Sequence, residues 1–144
     1  MAILSSDDQA KITHAVSLAE GRTSGEIRVV VEQVVGKMTA SDKAAKYFSD
    51  LGMHKTALRN GVLIYLAVAD RQFAIIGDKG IHSRVESDFW EVTKDKMLVH
   101  FRLGDYVRGL VEGISCAGER LGVFFPRQED DIDELPNEVH FGNN

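Results

Sequence analysis

The sequence predicts an α/β fold: a three- to four-stranded mixed sheet with helices on both faces, in the order αβαββαα. Three observations carry the prediction. Residues 26–35 and 62–69 are β-branched, mostly apolar runs of strand length. The second run is apolar on both faces, the pattern of a central strand covered on two sides. The stretch between them carries helical spacing, which makes a βαβ unit, and such units cross over right-handed.

The elements follow in order. Ser6-Asp7-Asp8-Gln9 reads as a helix start, with a serine cap, acids in the first turn and glutamine at the third helical position. Ile12, Ala15, Val16 and Ala19 recur at helical spacing, and Gly21 ends the element. The first strand places Ile27, Val29 and Val31 on one face. Ser41 or Thr39 caps a second helix that carries Ala44, Tyr47, Phe48 and Leu51 and closes at Gly52. Asn60-Gly61 launches the central strand. Asp70-Arg71 interrupts it, and Gln72-Phe73-Ala74-Ile75-Ile76 returns as the second arm of a hairpin. A third helix is expected over 82–100, with Val85, Phe89 and Val92 on one face, and Gly104 breaks it. A fourth, over 105–121, has Tyr106, Leu110, Ile114, Ala117 and Leu121 at helical spacing, and a line of small residues at Gly109, Gly113 and Ala117. Helical glycine costs about 0.8–1 kcal/mol relative to alanine, so two in one helix predict close backbone packing. Val123-Phe124-Phe125 is expected to add a short edge strand. No internal repeat is present.

With 144 residues, 44% hydrophobic and 27% charged, the chain has room and composition for one globular domain. We place that domain at residues 5–126 and an acidic C-terminal tail at 127–144. Of 22 acidic residues, Glu129, Asp130, Asp131, Asp133, Glu134 and Glu138 follow residue 126, against Arg127 alone of 17 basic ones. The body is therefore formally neutral, and the net charge of −5 belongs to the tail. A balanced body with an acidic tail argues against nucleic acid as a partner, because that needs a basic face to displace counterions. No apolar run approaches the roughly 20 residues of a transmembrane segment. The first residues lack the basic and apolar regions of a signal peptide, so the expected location is cytoplasmic. The single cysteine, Cys116, stands among apolar helix neighbours and reads as an inert core residue.

Five local patterns occur in an order that resembles the TPM domain, found in thylakoid-lumen phosphatase-like proteins, photosystem II repair proteins and acetylcholine-receptor modulators. They are Thr23-Ser24-Gly25-Glu26-Ile27, Arg59-Asn60-Gly61-Val62-Leu63, Asp70-Arg71, Gly77-Asp78-Lys79-Gly80-Ile81, and Gly104-Asp105-Tyr106 with Gly109. Together they span about residues 7–125. Many relatives carry a secretion signal, a following transmembrane helix or both; this sequence has neither and reads as a stand-alone soluble branch. The resemblance implies an α/β sandwich that binds divalent cations, with weak phosphatase activity claimed for some plant members.

The predicted topology sorts the acids by sheet edge. The two strands of the βαβ unit point the same way, so the loop after the first strand and the Asp70 hairpin share an edge. The third helix is expected to return there near Gly104. Asp42, Asp70 and Asp105 thus come from three loops at one edge, with Glu32 and Gln33 nearby. Convergent carboxylates repel one another unless a cation supplies the charge that hard oxygen ligands favour, calcium or magnesium being the natural candidates. In the competing structural reading, Asp42 and Asp105 only cap helices. A rival cluster at the other edge comprises Glu26, Asn60, Asp78 and Asp88. There, Gly77 and Gly80 read as turn residues, since the Gly-Lys-Ser/Thr ending of a phosphate loop is missing.

His14, His54, His82, His100 and His140 show no pair at metal-ligand spacing, and no nucleophile motif is present. The expected function is a divalent-cation binding module with little or no turnover, Asp42, Asp70 and Asp105 being the ligands. One alternative is a weak metal-dependent phosphatase in which Arg71 contacts the phosphoryl oxygens. Another is a protein-interaction domain that recruits a protein partner through the acidic tail.

Overall fold

The computed structural model describes residues 4–128 and 135–142. Its described elements are α1 (Ser6–Glu20), β1 (Glu26–Glu32), α2 (Ala40–Asp50), a single 3₁₀ turn (Met53–Lys55), β2 (Gly61–Ala67), β3 (Gln72–Gly77), α3 (Lys79–His82), α4 (Glu91–Phe101), α5 (Tyr106–Phe124) and β4 (His140–Phe141). The sheet order is β3-β2-β1-β4. β1 runs parallel to β2 and to β4, while β2 and β3 form the antiparallel hairpin. The mixed sheet with helices on both faces is thus the predicted α/β fold.

Period-2 alternation divides the strands between two cores. Ile27, Val29, Val31, Val62, Ile64, Leu66 and Ile75 face one way, into a core completed by Ile12 and Val16 of α1, Met97 of α4 and Leu110, Ile114 and Leu121 of α5. Val30, Leu63, Tyr65, Ala67 and Ala74 face the other way, against Ala44 and Tyr47 of α2. Helices on both faces explain why β2 is buried along its whole length.

The small-residue line does pack closely. A Cβ at Gly113 would come within 2.5 Å of Met97 Sδ, and one at Gly109 would run into the Phe101 ring, so both glycines let α5 lie close to α4. Cys116 is buried on the same helix, 3.2 Å from Thr93 Oγ1 of α4.

Several local expectations are corrected. Ser5, not Ser6, caps α1, in a reciprocal capping box with Asp8. The first strand stops at Glu32, short of Val35, because the chain turns away where Asp70 accepts from the Val35 amide. The expected helix over 82–100 is two helices separated by turns at 83–90. Adjacent Phe89 and Trp90 are both buried, with Ile81 also in the core. One straight helix would point successive side chains about 100° apart, and Ser87 and Asp88 favour the turns that resolve this.

Val123-Phe124-Phe125 forms no strand. α5 runs on through Phe124, whose ring meets Phe89 at 5.7 Å, and only an isolated antiparallel bridge joins Thr23 to Pro126. Packing overrides the strand propensity of that tripeptide. The fourth strand comes instead from the far end of the chain, at His140–Phe141.

Candidate functional site

The carboxyl ends of the parallel strands β1 and β2 form the edge where α/β sheets commonly bind ligands. Past the strands themselves, the Val68 amide donates to the Glu32 carbonyl at 2.9 Å and the Ala69 amide to the Gln33 carbonyl at 2.8 Å. The chain then turns sharply at Arg71, a non-glycine residue at φ 55°. Asp70 reaches back across the edge, and its Oδ2 accepts from the Val35 amide at 2.7 Å. One carboxylate thereby ties the hairpin turn to the loop that leads into α2.

The third loop belongs to the same edge. Phe73, at the start of β3, meets the Phe101 ring at 5.0 Å, and Phe101 in turn meets Tyr106 at 6.0 Å. Asp105, the N-cap of α5, accepts from the Arg108 amide through Oδ1 at 3.1 Å. Asp42 is exposed in the first turn of α2, where Thr39 supplies the cap by accepting from the Asp42 amide. Each aspartate thus also has a local structural task or place. Among the described residues, no three His, Cys, Asp or Glu side chains stand together closely enough to hold a metal ion. The donor types suit a hard cation, but a closed three-carboxylate cage is not assembled.

The opposite edge is committed to structure. Asp78 takes both Nε and a terminal nitrogen of Arg59, at 2.9 and 3.2 Å, and also accepts from the Lys79 amide. The Gly80 amide donates to the Arg59 carbonyl at 2.9 Å, and a Cβ at Gly80 would lie 2.5 Å from that oxygen. Glu26 accepts from the Leu135 amide at 2.7 Å, and Asn60 is buried beside Ser24. Glycine is needed here for close backbone approach, not to cradle a phosphate.

The arrangement that sequence reasoning missed lies just behind the Asp70 edge, on the α2 face. Glu32 is fully buried, accepts from the hydroxyls of Tyr47 (2.7 Å) and Tyr65, and has Lys43 Nζ at 3.6 Å. The Tyr47 and Tyr65 rings stack at 6.0 Å, and His140 meets Tyr47 edge-on at 5.8 Å. Burial first, and then the hydrogen bond to Glu32, push the Tyr65 phenol well above its ordinary range. Burial and the Arg28 charge hold His140 below its usual value, with Glu32 pulling the other way. The available signal was the alternation of charge along β1, which puts Glu26, Arg28 and Glu32 on one face.

Among the described residues, no helix is long and apolar enough to cross a membrane. A search of curated proteins gave no match. The chain is similar to the NMR structure of the BA42 protein from the psychrophilic bacterium Bizionia argentinensis, at 44% identity and TM-score 0.92 over 98% of this chain and 97% of that one. It shares the fold of an N-terminal domain from P. gingivalis, at 21% identity and TM-score 0.70 over 89% and 83% of the two chains. The N-terminal domain of cg2496 from Corynebacterium glutamicum matches at 14% identity and TM-score 0.65, over 92% and 82%. The TPM domain family model matches residues 1–120, and the chain belongs to that family.

Proposed function

We propose that the protein is a divalent-cation binding module whose site is the loop edge around Asp70, with calcium or magnesium as the ion. The observation that supports this reading is the tie from Asp70 to the Val35 amide, which holds a carboxylate where the loop before α2 meets the hairpin. Asp70 would hold the ion first, with Asp42 and Asp105 as the further carboxylates, and loop carbonyls and water would complete the six to eight oxygens that calcium takes. Because the carboxylates are not gathered beforehand, loops must be ordered on binding, and affinity is set at the weak end of calcium modules, about 10⁻⁴ M.

The test is thermal unfolding with and without metal. At about 10 mM calcium, a hundredfold over that Kd, linkage adds roughly 2.7 kcal/mol to the folded state. The expected rise in Tm is about 5–10 °C, shrinking in Asp70→Asn and in Asp105→Asn. A Tm that calcium leaves unmoved, or variants that respond as fully as the parent, would overturn the reading.

A second reading, weak metal-dependent phosphatase activity, takes its support from the phosphatase designation of the TPM domain family and from Arg71, held in a left-handed conformation beside Asp70. Strained residues of that kind concentrate at functional sites. Turnover of a generic aryl phosphate is expected well below about 1 s⁻¹, the low end for ordinary enzymes. A faster rate, abolished by Asp70→Asn, would replace the binding-module reading.

A further inference from the structure

The segment 135–142 lies along β1 in register with a stripe of charge. The Leu135 amide donates to Glu26 Oε1 at 2.7 Å, and the negative charge of Glu138 acts on Arg28. His140 pairs with Val30 and Phe141 with Val31 in the parallel ladder. The Gly142 amide donates to the Val31 carbonyl at 2.9 Å. Gly142 closes over the buried acid: a Cβ there would overlap Glu32 Oε1 and sit 2.5 Å from the Tyr47 hydroxyl. Residues 138, 140 and 142 therefore cover the α2 face of the stripe, while Val139 packs into the opposite core. Among the described residues two pairs form the ladder, so little main-chain bonding holds this strand in place.

Charge at the far end of the strand is poised against a further positive group. His140 meets the Tyr47 ring of α2 and feels Arg28 and Glu32 of β1. Lys43 and Lys46 lie over that same Tyr47 ring, the Tyr65 phenol of β2 donates to Glu32, and Glu138 stands two residues before His140 on the strand. Glu32 is already engaged by both tyrosine hydroxyls and has Lys43 beside it. A protonated His140 would thus face the Arg28 charge, while Glu32, the carboxylate that acts on it, is already shared among both tyrosine hydroxyls and Lys43.

We propose that residues 135–142 are an acid-released strap: protonation of His140 at mildly acidic pH lifts the strap from β1 and opens the Glu32 cluster to solvent. The linkage sign agrees. A histidine held below its ordinary value in the docked state favours docking fully above about pH 6.5, and that contribution is lost as pH falls towards the docked value. The docked population can drop by at most about tenfold per pH unit across that window.

The experiment is amide exchange and ring-proton NMR on the full chain between pH 7.5 and 5. The Gly142 protection factor is expected to fall several-fold to tenfold below about pH 6.5 while Tyr65 and Ala74, a hydrogen-bonded pair of the β2–β3 ladder, keep theirs, and the His140 ring is expected to titrate below 6.5 in step. Retained Gly142 protection at pH 5, loss only together with the sheet amides, or a His140 ring titrating at or above 6.5 would each overturn the proposal. His140→Phe and His140→Gln are expected to stay docked at pH 5, and release of either in parallel with the parent would also overturn it. If both variants are undocked already at pH 7.5, the parent's ring titration against its Gly142 protection decides between the same two outcomes.

Discussion

Glu32 is a fully buried acid at the end of a strand otherwise rich in valine, and it is retained there because Tyr47 and Tyr65 donate to it and Lys43 stands beside it. Hydrogen bonds to a charged group contribute about 1.5–3 kcal/mol each. Tyr47→Phe and Tyr65→Phe are each expected to lose about that much stability in urea unfolding, and no change in either would show that Glu32 does not depend on them. The Tyr65 phenol is raised by burial and by Glu32, so the folded state keeps a proton that the unfolded chain releases above about pH 10. Stability should therefore decline as pH rises past 10, and Tyr65→Phe should flatten that decline. Tyr65 was visible in the sequence as part of an apolar run. Its relation to Glu32 was not, because it depends on the register that pairs Val30 with Tyr65 and sets Glu32 diagonally across.

Among the elements, α5 shows how far periodicity reaches. Its helical spacing predicted a buried face, and its glycines predicted a close neighbour; that neighbour is α4, through Met97 and Phe101. Gly113→Leu would force Met97 aside, and overpacking of this kind costs about 1–3 kcal/mol or more. An unchanged urea midpoint would mean that α4 yields without loss. Periodicity failed between residues 83 and 90 and at residues 123–125. In both places aromatic side chains decide the backbone by the core positions they fill, and sequence spacing alone does not reveal which cavity an aromatic ring enters. Of the three aspartates, Asp70 lies in the hairpin turn and Asp105 caps α5, while Asp42 stands within the first turn of α2. What the spacing could not supply was their separation, since each is placed by its own cap, turn or loop.

In the whole molecule, the end of the chain completes the sheet it began. Leu135 and Val139 pack against opposite cores, and full burial of such side chains is worth about 1.5–3 kcal/mol each. A chain ended after Gln128 is expected to lose about 2–4 kcal/mol, since both are only partly buried, and to unfold at lower urea. A midpoint equal to that of the full chain would show that the last strand adds nothing to stability. The α/β class, the βαβ unit, the hairpin, the sheet edge that carries Asp70 and the family resemblance were all determined by the sequence by itself, because they depend on local periodicity and on chain direction. The tertiary structure decided the fourth strand, the Glu32 cluster beneath it and the engagement of Asp78 with Arg59. Those depend on contacts between residues far apart in the chain, such as the 109 positions from Glu26 to Leu135, and local pattern carries no information about which distant segment meets a strand's open edge.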